Sequence, residues 1–172
     1  MALPTVEIRD RCHPPRERSA EPSQPGTIEA VTNVLLATDA DWLRDDVAAA
    51  LATDDTVVNR VHQGREVIEV IEELAPDLVL LDMQIGSMGG VATALALRNL
   101  EADGRLPEVA IMLLMDREAD AFMAQESGAD GWMVKPIDAF RLRRAADKVL
   151  AGGEHFEGLS PIQPEAVTAE TE

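Results

Sequence analysis

Four short apolar runs and one mixed segment of strand length alternate with five stretches of helical periodicity, and that alternation leaves the chain few ways to fold. Val34-Leu35-Leu36-Ala37, Val57 to Val61, Leu78 to Leu81, Val109 to Met115 and Trp132-Met133-Val134 all have strand length. Helical patterns follow each: Trp42 to Ala52, Glu66 to Leu74, Val91 to Ala102, Ala119 to Glu126, and the segment from Asp138 to Leu150. Runs that are apolar throughout, rather than alternating, belong to strands buried on both faces. Strands and helices in strict alternation with short connections predict a parallel sheet covered on both sides through right-handed crossovers. With five strands and five helices, the expected fold class is α/β, a flavodoxin-like doubly wound five-stranded parallel sheet. Its strand order is 2-1-3-4-5, with the switch point between the first and third strands.

Punctuation along the chain supports the segmentation. Asp41 stands where a helix N-cap is expected, Pro76 stops the second helix, and Gly128 has the position of a C-terminal glycine after the fourth. Asp138 opens the last helix and Gly152-Gly153 close it. Three regions are expected. Residues 1–30 form an extended arm carrying Pro4, Pro14, Pro15, Pro22 and Pro25, residues 31–151 the domain, and residues 152–172 an acidic tail.

Charge removes several functions. A formal net charge of −17 repels nucleic acid and anionic membrane surfaces. No apolar stretch reaches the length of a membrane span or has the build of a signal peptide. Cys12 is the only cysteine, so no internal disulfide forms, and a reducing cytoplasmic setting is expected. Cys12 and His13 supply two ligands where a structural zinc needs four.

The residue that asks for a chemical reading is Asp82. It ends the run Asp77-Leu78-Val79-Leu80-Leu81 and is followed by a loop containing Gly86, Ser87, Gly89 and Gly90. A carboxylate there lies in the crevice at the carboxyl edge of the sheet, where open α/β folds place their ligands. Thr38 and Asp39 end the first strand and Lys135 ends the fifth, so three strands deliver charge to the same edge. Two neighbouring carboxylates repel unless a cation compensates. Mg²⁺ and the Lys135 ammonium are the natural candidates, and a carboxylate so placed is a workable phosphoryl acceptor.

Three segments together resemble the receiver domain of two-component response regulators. They are Val34-Leu35-Leu36-Ala37-Thr38-Asp39, Pro76-Asp77-Leu78-Val79-Leu80-Leu81-Asp82, and Gly128-Ala129-Asp130-Gly131-Trp132-Met133-Val134-Lys135-Pro136. The resemblance covers residues 32–151. It implies Asp82 as phospho-acceptor and Asp39, Asp82 and the Gln84 carbonyl as Mg²⁺ ligands. It also implies Lys135 as the phosphate's charge partner and Trp132 as the switch aromatic.

The departures are equally informative. Thr38 replaces the first of the family's two adjacent acids, which implies weak Mg²⁺ binding. The family's hydroxyl residue at the end of the fourth strand falls on Leu113 or Leu114, and no Ser or Thr lies between Val109 and Arg117. Ile85-Gly86 replaces the usual Met-Pro. An atypical receiver is expected, with weak or absent phosphorylation switching.

Only 22 residues follow Leu150, and they carry no base, so output through a protein partner rather than DNA is expected. That partner is read as a larger assembly engaged by the two tails. Arg141, Arg144 and Lys148, with Arg143 beside them, form a basic stripe on the last helix, a candidate docking surface together with Trp132. The alternative is a phosphorelay receiver served at Asp82 by a histidine kinase or phosphotransfer protein. A remote alternative is a phosphatase of the haloacid-dehalogenase type, imitated by Asp39-Ala40-Asp41 and the later Asp116 and Asp120.

Overall fold

The computed structural model describes residues 31–158. Cys12, His13, the N-terminal arm and the tail beyond Gly158 lie outside the described residues. The elements in chain order are β1 (Thr32–Ala37), α1 (Asp41–Leu51), β2 (Thr56–Val61), α2 (Gly64–Leu74), β3 (Leu78–Asp82) and α3 (Gly90–Ala102). They continue with β4 (Ala110–Met115), a 3₁₀ turn (Glu118–Asp120) running into α4 (Ala121–Glu126), β5 (Gly131–Val134), α5 (Ala139–Leu150) and β6 (His155–Phe156). All strands pair in parallel in the order β2-β1-β3-β4-β5-β6. The expected order thus holds, extended by a sixth strand drawn from the segment read as tail.

Alternation within each strand sorts the core into two layers. Leu35, Val79, Leu81, Ile111, Leu113 and Trp132 face α2, α3 and α4. Leu36, Leu80, Met112, Leu114 and Met133 face α1 and α5. The central strand β4 is buried along its whole length, which is why its sequence is apolar without alternation. At the carboxyl edge of β3 the sheet and α3 touch closely. A Cβ on Gly90 would stand 2.6 Å from the Asp82 carbonyl oxygen, so the glycine lets the helix start directly against the strand end.

Arg98 ties the opposite edge together. From α3 it donates to the carbonyls of Gly128 and Val109 and to the carboxylates of Glu101 and Asp130. Asp130 in turn accepts from the Ile111 amide at 2.8 Å. One guanidinium thereby registers α3, β4 and the entry to β5.

Two expectations about helix starts separate here. Asp138 caps α5, accepting from the Arg141 amide at 3.0 Å. Asp41 is not a cap but the first residue of α1, whose N-cap is Ala40. The Asp41 carboxylate is drawn instead to Arg60 of β2 at 2.6 Å. That hydrogen bond and charge hold the Asp41 carboxyl below the usual carboxylate range.

Candidate functional site

Strand ends bring Thr38, Asp82 and Lys135 into direct contact. Both Asp82 and Thr38 are buried, and the side chain of Lys135 is 8 % exposed. Lys135 donates from Nζ to Asp82 Oδ1 at 2.6 Å, and the Gln84 amide donates to the same oxygen at 3.1 Å. The other oxygen, Oδ2, accepts the Thr38 hydroxyl at 2.8 Å. Thr38 Oγ1 also accepts from the Ala40 amide at 3.1 Å, so one hydroxyl fixes both the β1 end and the β3 carboxylate. The carboxylate therefore has its charge paired and both oxygens hydrogen-bonded, which makes its burial tolerable.

Around this closed centre the remaining polar groups are exposed. Lys135 Nζ reaches Asp116 Oδ1 at 3.1 Å and stands 6.0 Å from the ring centroid of Trp42, a helix-start tryptophan that is 52 % exposed. Asp39 and Gln84 are exposed. The residues that would hold Mg²⁺ are the Asp39 and Asp82 carboxylates and the Gln84 carbonyl, oxygen donors of the kind that ion accepts, with waters completing the shell. By oxygen chemistry the donors fit the ion, although both Asp82 oxygens already serve Thr38 and Lys135. Among the described residues no group of three His, Cys, Asp or Glu side chains converges on a metal position. Asp120, one of the acids the phosphatase alternative needs, is instead paired with Arg117 at 2.8 Å.

Strand register places the two leucines on opposite faces. Leu113 pairs with Leu81 on one side and Trp132 on the other, in the α2–α4 layer. Leu114 pairs with Asp82 and Met133, and its side chain packs in the α1/α5 layer. The residue sharing a face with Trp132 is thus Leu113.

Trp132 is buried, and its surroundings contain residues the sequence reading passed over. Its indole N–H donates to the Glu157 carbonyl at 2.8 Å, and its ring lies 4.2 Å, centroid to centroid, from Phe156 of β6. The Glu157 carboxylate accepts from the Val134 amide at 3.2 Å and pairs with Arg141. Burial alone would raise the Glu157 carboxyl, but the bonds from Arg141 and Val134 outweigh it and hold it below the usual range. Arg141 also donates to the Pro136 carbonyl, so it is committed to this contact. Arg144 and Lys148 are exposed. Arg143 turns back to the Ala50 carbonyl at the end of α1. The expected basic stripe is therefore divided among three tasks. The only signal for Glu157 and Phe156 in the sequence is an aromatic–acid pair between Gly153 and Gly158.

The family model of the response regulator receiver domain matches residues 34–147, most of the chain and every strand that builds the Asp82 centre. The chain belongs to the response regulator receiver domain family. Similar curated proteins include the nitrate/nitrite response regulator NarL of Escherichia coli, 33% identical over 132 residues that are 75% of this chain and 60% of NarL. VraR of Staphylococcus aureus is 29% identical over 128 residues, 72% of this chain and 59% of that protein. The receiver thus spans about 60% of the length of such relatives. Among solved structures, the NarL signal receiver domain of Mycobacterium tuberculosis superposes with a TM-score of 0.62 at 27% identity, covering 70% of this chain and 97% of that one. The chemotaxis response regulator CheY4 of Vibrio cholerae gives 0.61 at 22% identity, covering 69% and 98%, and this likeness concerns the fold. Receivers are signalling modules of two-component systems, and no helix among the described residues is long and apolar enough to cross a membrane.

Proposed function

We propose that this receiver acts chiefly by binding other proteins, as a regulatory or accessory module docked on a larger assembly, with weak phosphorylation switching at Asp82. The observation that carries the reading is Leu113 opposite Trp132. Where the family has a hydroxyl to grip an acceptor's phosphoryl group and move the aromatic, this chain has a buried apolar side chain. Thr38 adds to this, since it occupies Asp82 Oδ2 where the family has another metal-binding acid. The exposed aromatic residues Trp42, Phe122 and Phe140 support protein contacts, and the net charge of −17 supports partners other than nucleic acid. A cytoplasmic setting and engagement of the partner through residues 1–30 and 152–172 belong to the same proposal.

A second reading keeps Asp82 chemically active, as phospho-acceptor in a relay with a histidine kinase or phosphotransfer protein. It is favoured by the 2.6 Å contact between Lys135 and Asp82, since the ammonium is placed to neutralise an acyl phosphate. In that reading Mg²⁺, held by Asp39, Asp82 and the Gln84 carbonyl, would supply charge neutralisation during phosphoryl transfer. This chain's own task there is to hold Asp82 in place through Thr38 and Lys135.

Two experiments separate the readings. The full chain is incubated with acetyl phosphate and Mg²⁺, and its intact mass is followed together with tryptophan fluorescence. Little modification and an unchanged Trp132 signal are expected; near-complete modification of Asp82 with a matching spectral change sinks the binding-module reading. Affinity purification from the native cell, with and without residues 1–27, is expected to lose a stoichiometric protein partner on truncation, while Asp82→Ala leaves that partner in place.

A further inference from the structure

The edge of β5 is closed by the chain itself, and the closure has the features of a ligand in a site. An uncovered strand edge presents a row of N–H and C=O groups that will pair with any extended segment. Here His155 donates to the Asp130 carbonyl at 3.2 Å, and Glu157 to the Trp132 carbonyl at 3.2 Å. The next donor along the edge, the Val134 amide, is met by the Glu157 carboxylate rather than by another backbone carbonyl. A side chain therefore completes the ladder that a two-residue strand is too short to complete.

Recognition extends beyond the backbone. Phe156 lies on the Trp132 ring, the Glu157 carbonyl takes the indole proton, and Arg141 holds the Glu157 carboxylate. The approach is close. A Cβ on Gly131 would stand 2.6 Å from the His155 carbonyl oxygen. At the same time the segment is lightly attached. It follows Gly152, at φ +82°, and Gly153, and it ends at Gly158, at φ +92°. Phe156 is 38 % exposed, and the segment adds no residue to the buried core clusters.

We propose that the β5 edge, with Trp132 and Arg141, is a docking site for an extended aromatic–acidic peptide, and that His155-Phe156-Glu157 is its displaceable ligand in cis. A partner's strand that places an aromatic side chain on Trp132, followed by a carboxylate for Arg141 and the Val134 amide, would take the same place by strand addition. Only the chain's own segment and its contacts enter this inference. It holds whether or not Asp82 accepts phosphate.

The test uses the full chain, with the Trp132 indole N–H followed by NMR and assigned with a Trp42→Phe variant. In the double variant Phe156→Ala with Glu157→Ala, hydrogen exchange at that indole is expected to rise by roughly tenfold or more, while the amides of β3 keep their protection. Adding a synthetic peptide with the residues Gly153 to Gly158 is expected to restore the slow exchange. The same peptide with alanine in place of Phe156 and Glu157 is expected to have no effect. Gly131→Ala, which evicts the segment sterically without altering its sequence, serves as the second variant and should give the same fast exchange. Unchanged exchange in both variants overturns the cis ligand. Fast exchange that no concentration of the peptide slows overturns the docking site. Failure of this test leaves the acetyl phosphate result untouched, so the two proposals fall separately.

Discussion

Two polar clusters share β5, which carries Trp132 and delivers Lys135 at its end, and they are held by opposite means. The Asp82 centre is built from residues 38, 82 and 135, each the end of a different strand of the core, and it is buried. The Trp132 edge is built around a short segment that follows α5 and remains partly exposed. In the first, charge is satisfied by elements that cannot separate without unfolding the domain. In the second, satisfaction comes from a few residues between glycines that can leave while the sheet stays intact. Burial makes the first cluster costly to break; attachment through glycines makes the second cheap to break and open to exchange.

The largest expected effect tests the rigid side. Lys135→Met leaves the Asp82 carboxylate buried without its cation, and a loss of about 3–5 kcal/mol is expected in urea denaturation. The accompanying variant Lys135→Met with Asp82→Leu should recover most of that loss, because an apolar pair of similar volume needs no desolvation of charge. Equal instability of the single and double variants would show that packing, not the stranded charge, is at fault.

Leu113 gives the next effect and sharpens the contrast between the clusters. Leu113→Thr places a hydroxyl among apolar side chains, and a destabilisation of about 1–3 kcal/mol is expected from the unpaired donor. If acetyl phosphate then changes Trp132 fluorescence in the variant but not in the parent chain, the leucine is what uncouples the two clusters. No change in either would place the block at Asp82 itself.

At the edge the effects are smaller. Phe156→Ala removes the contact with Trp132, and a loss of about 0.5–1.5 kcal/mol is expected, with the Trp132 emission moving towards longer wavelength. Acid provides the gentlest test. The Glu157 carboxyl is held below its ordinary value, so its contribution is complete above that value and is lost as pH falls through the depressed one. Acidification below about pH 4.5, the unperturbed carboxyl value, should therefore loosen the edge. In the Glu157→Gln variant the indole exchange rate should no longer carry this acid dependence. An acid dependence retained there would assign it to another group.

What the sequence revealed and what it hid follow the same division. Four of the core strands and the positions of Thr38, Asp82 and Lys135 were legible because uninterrupted apolar runs stop at those residues, and burial on both faces leaves that mark; β2, with Asn59 and Arg60 inside it, carries the mark only weakly. Leu113 as a non-hydroxyl residue was legible too, although only strand pairing decides that it, and not Leu114, shares a face with Trp132. The sixth strand left no mark. Two residues cannot show a period, and the glycines around them read as a stop. Asp41 looked like a cap because its position fits one; its capture by Arg60 depends on β1–β2 pairing, which no local pattern encodes. Arg141 looked like part of a basic docking stripe because its helical spacing fits, while its partner Glu157 lies 16 residues further along the chain.

Thr38 has one more consequence. Were an acid to stand in its place, two or three carboxylates would crowd the end of the sheet, and the native state would lean on a divalent ion to offset their repulsion. A neutral hydroxyl that donates to Asp82 removes that dependence, leaving one buried anion matched by one ammonium. The melting temperature is expected to be the same in chelator as in millimolar magnesium, on the order of 1 °C apart at most for so weak a linkage. Thr38→Asp should convert the domain into one whose stability follows the ion. A single substitution thus decides whether the resting fold senses its ionic surroundings.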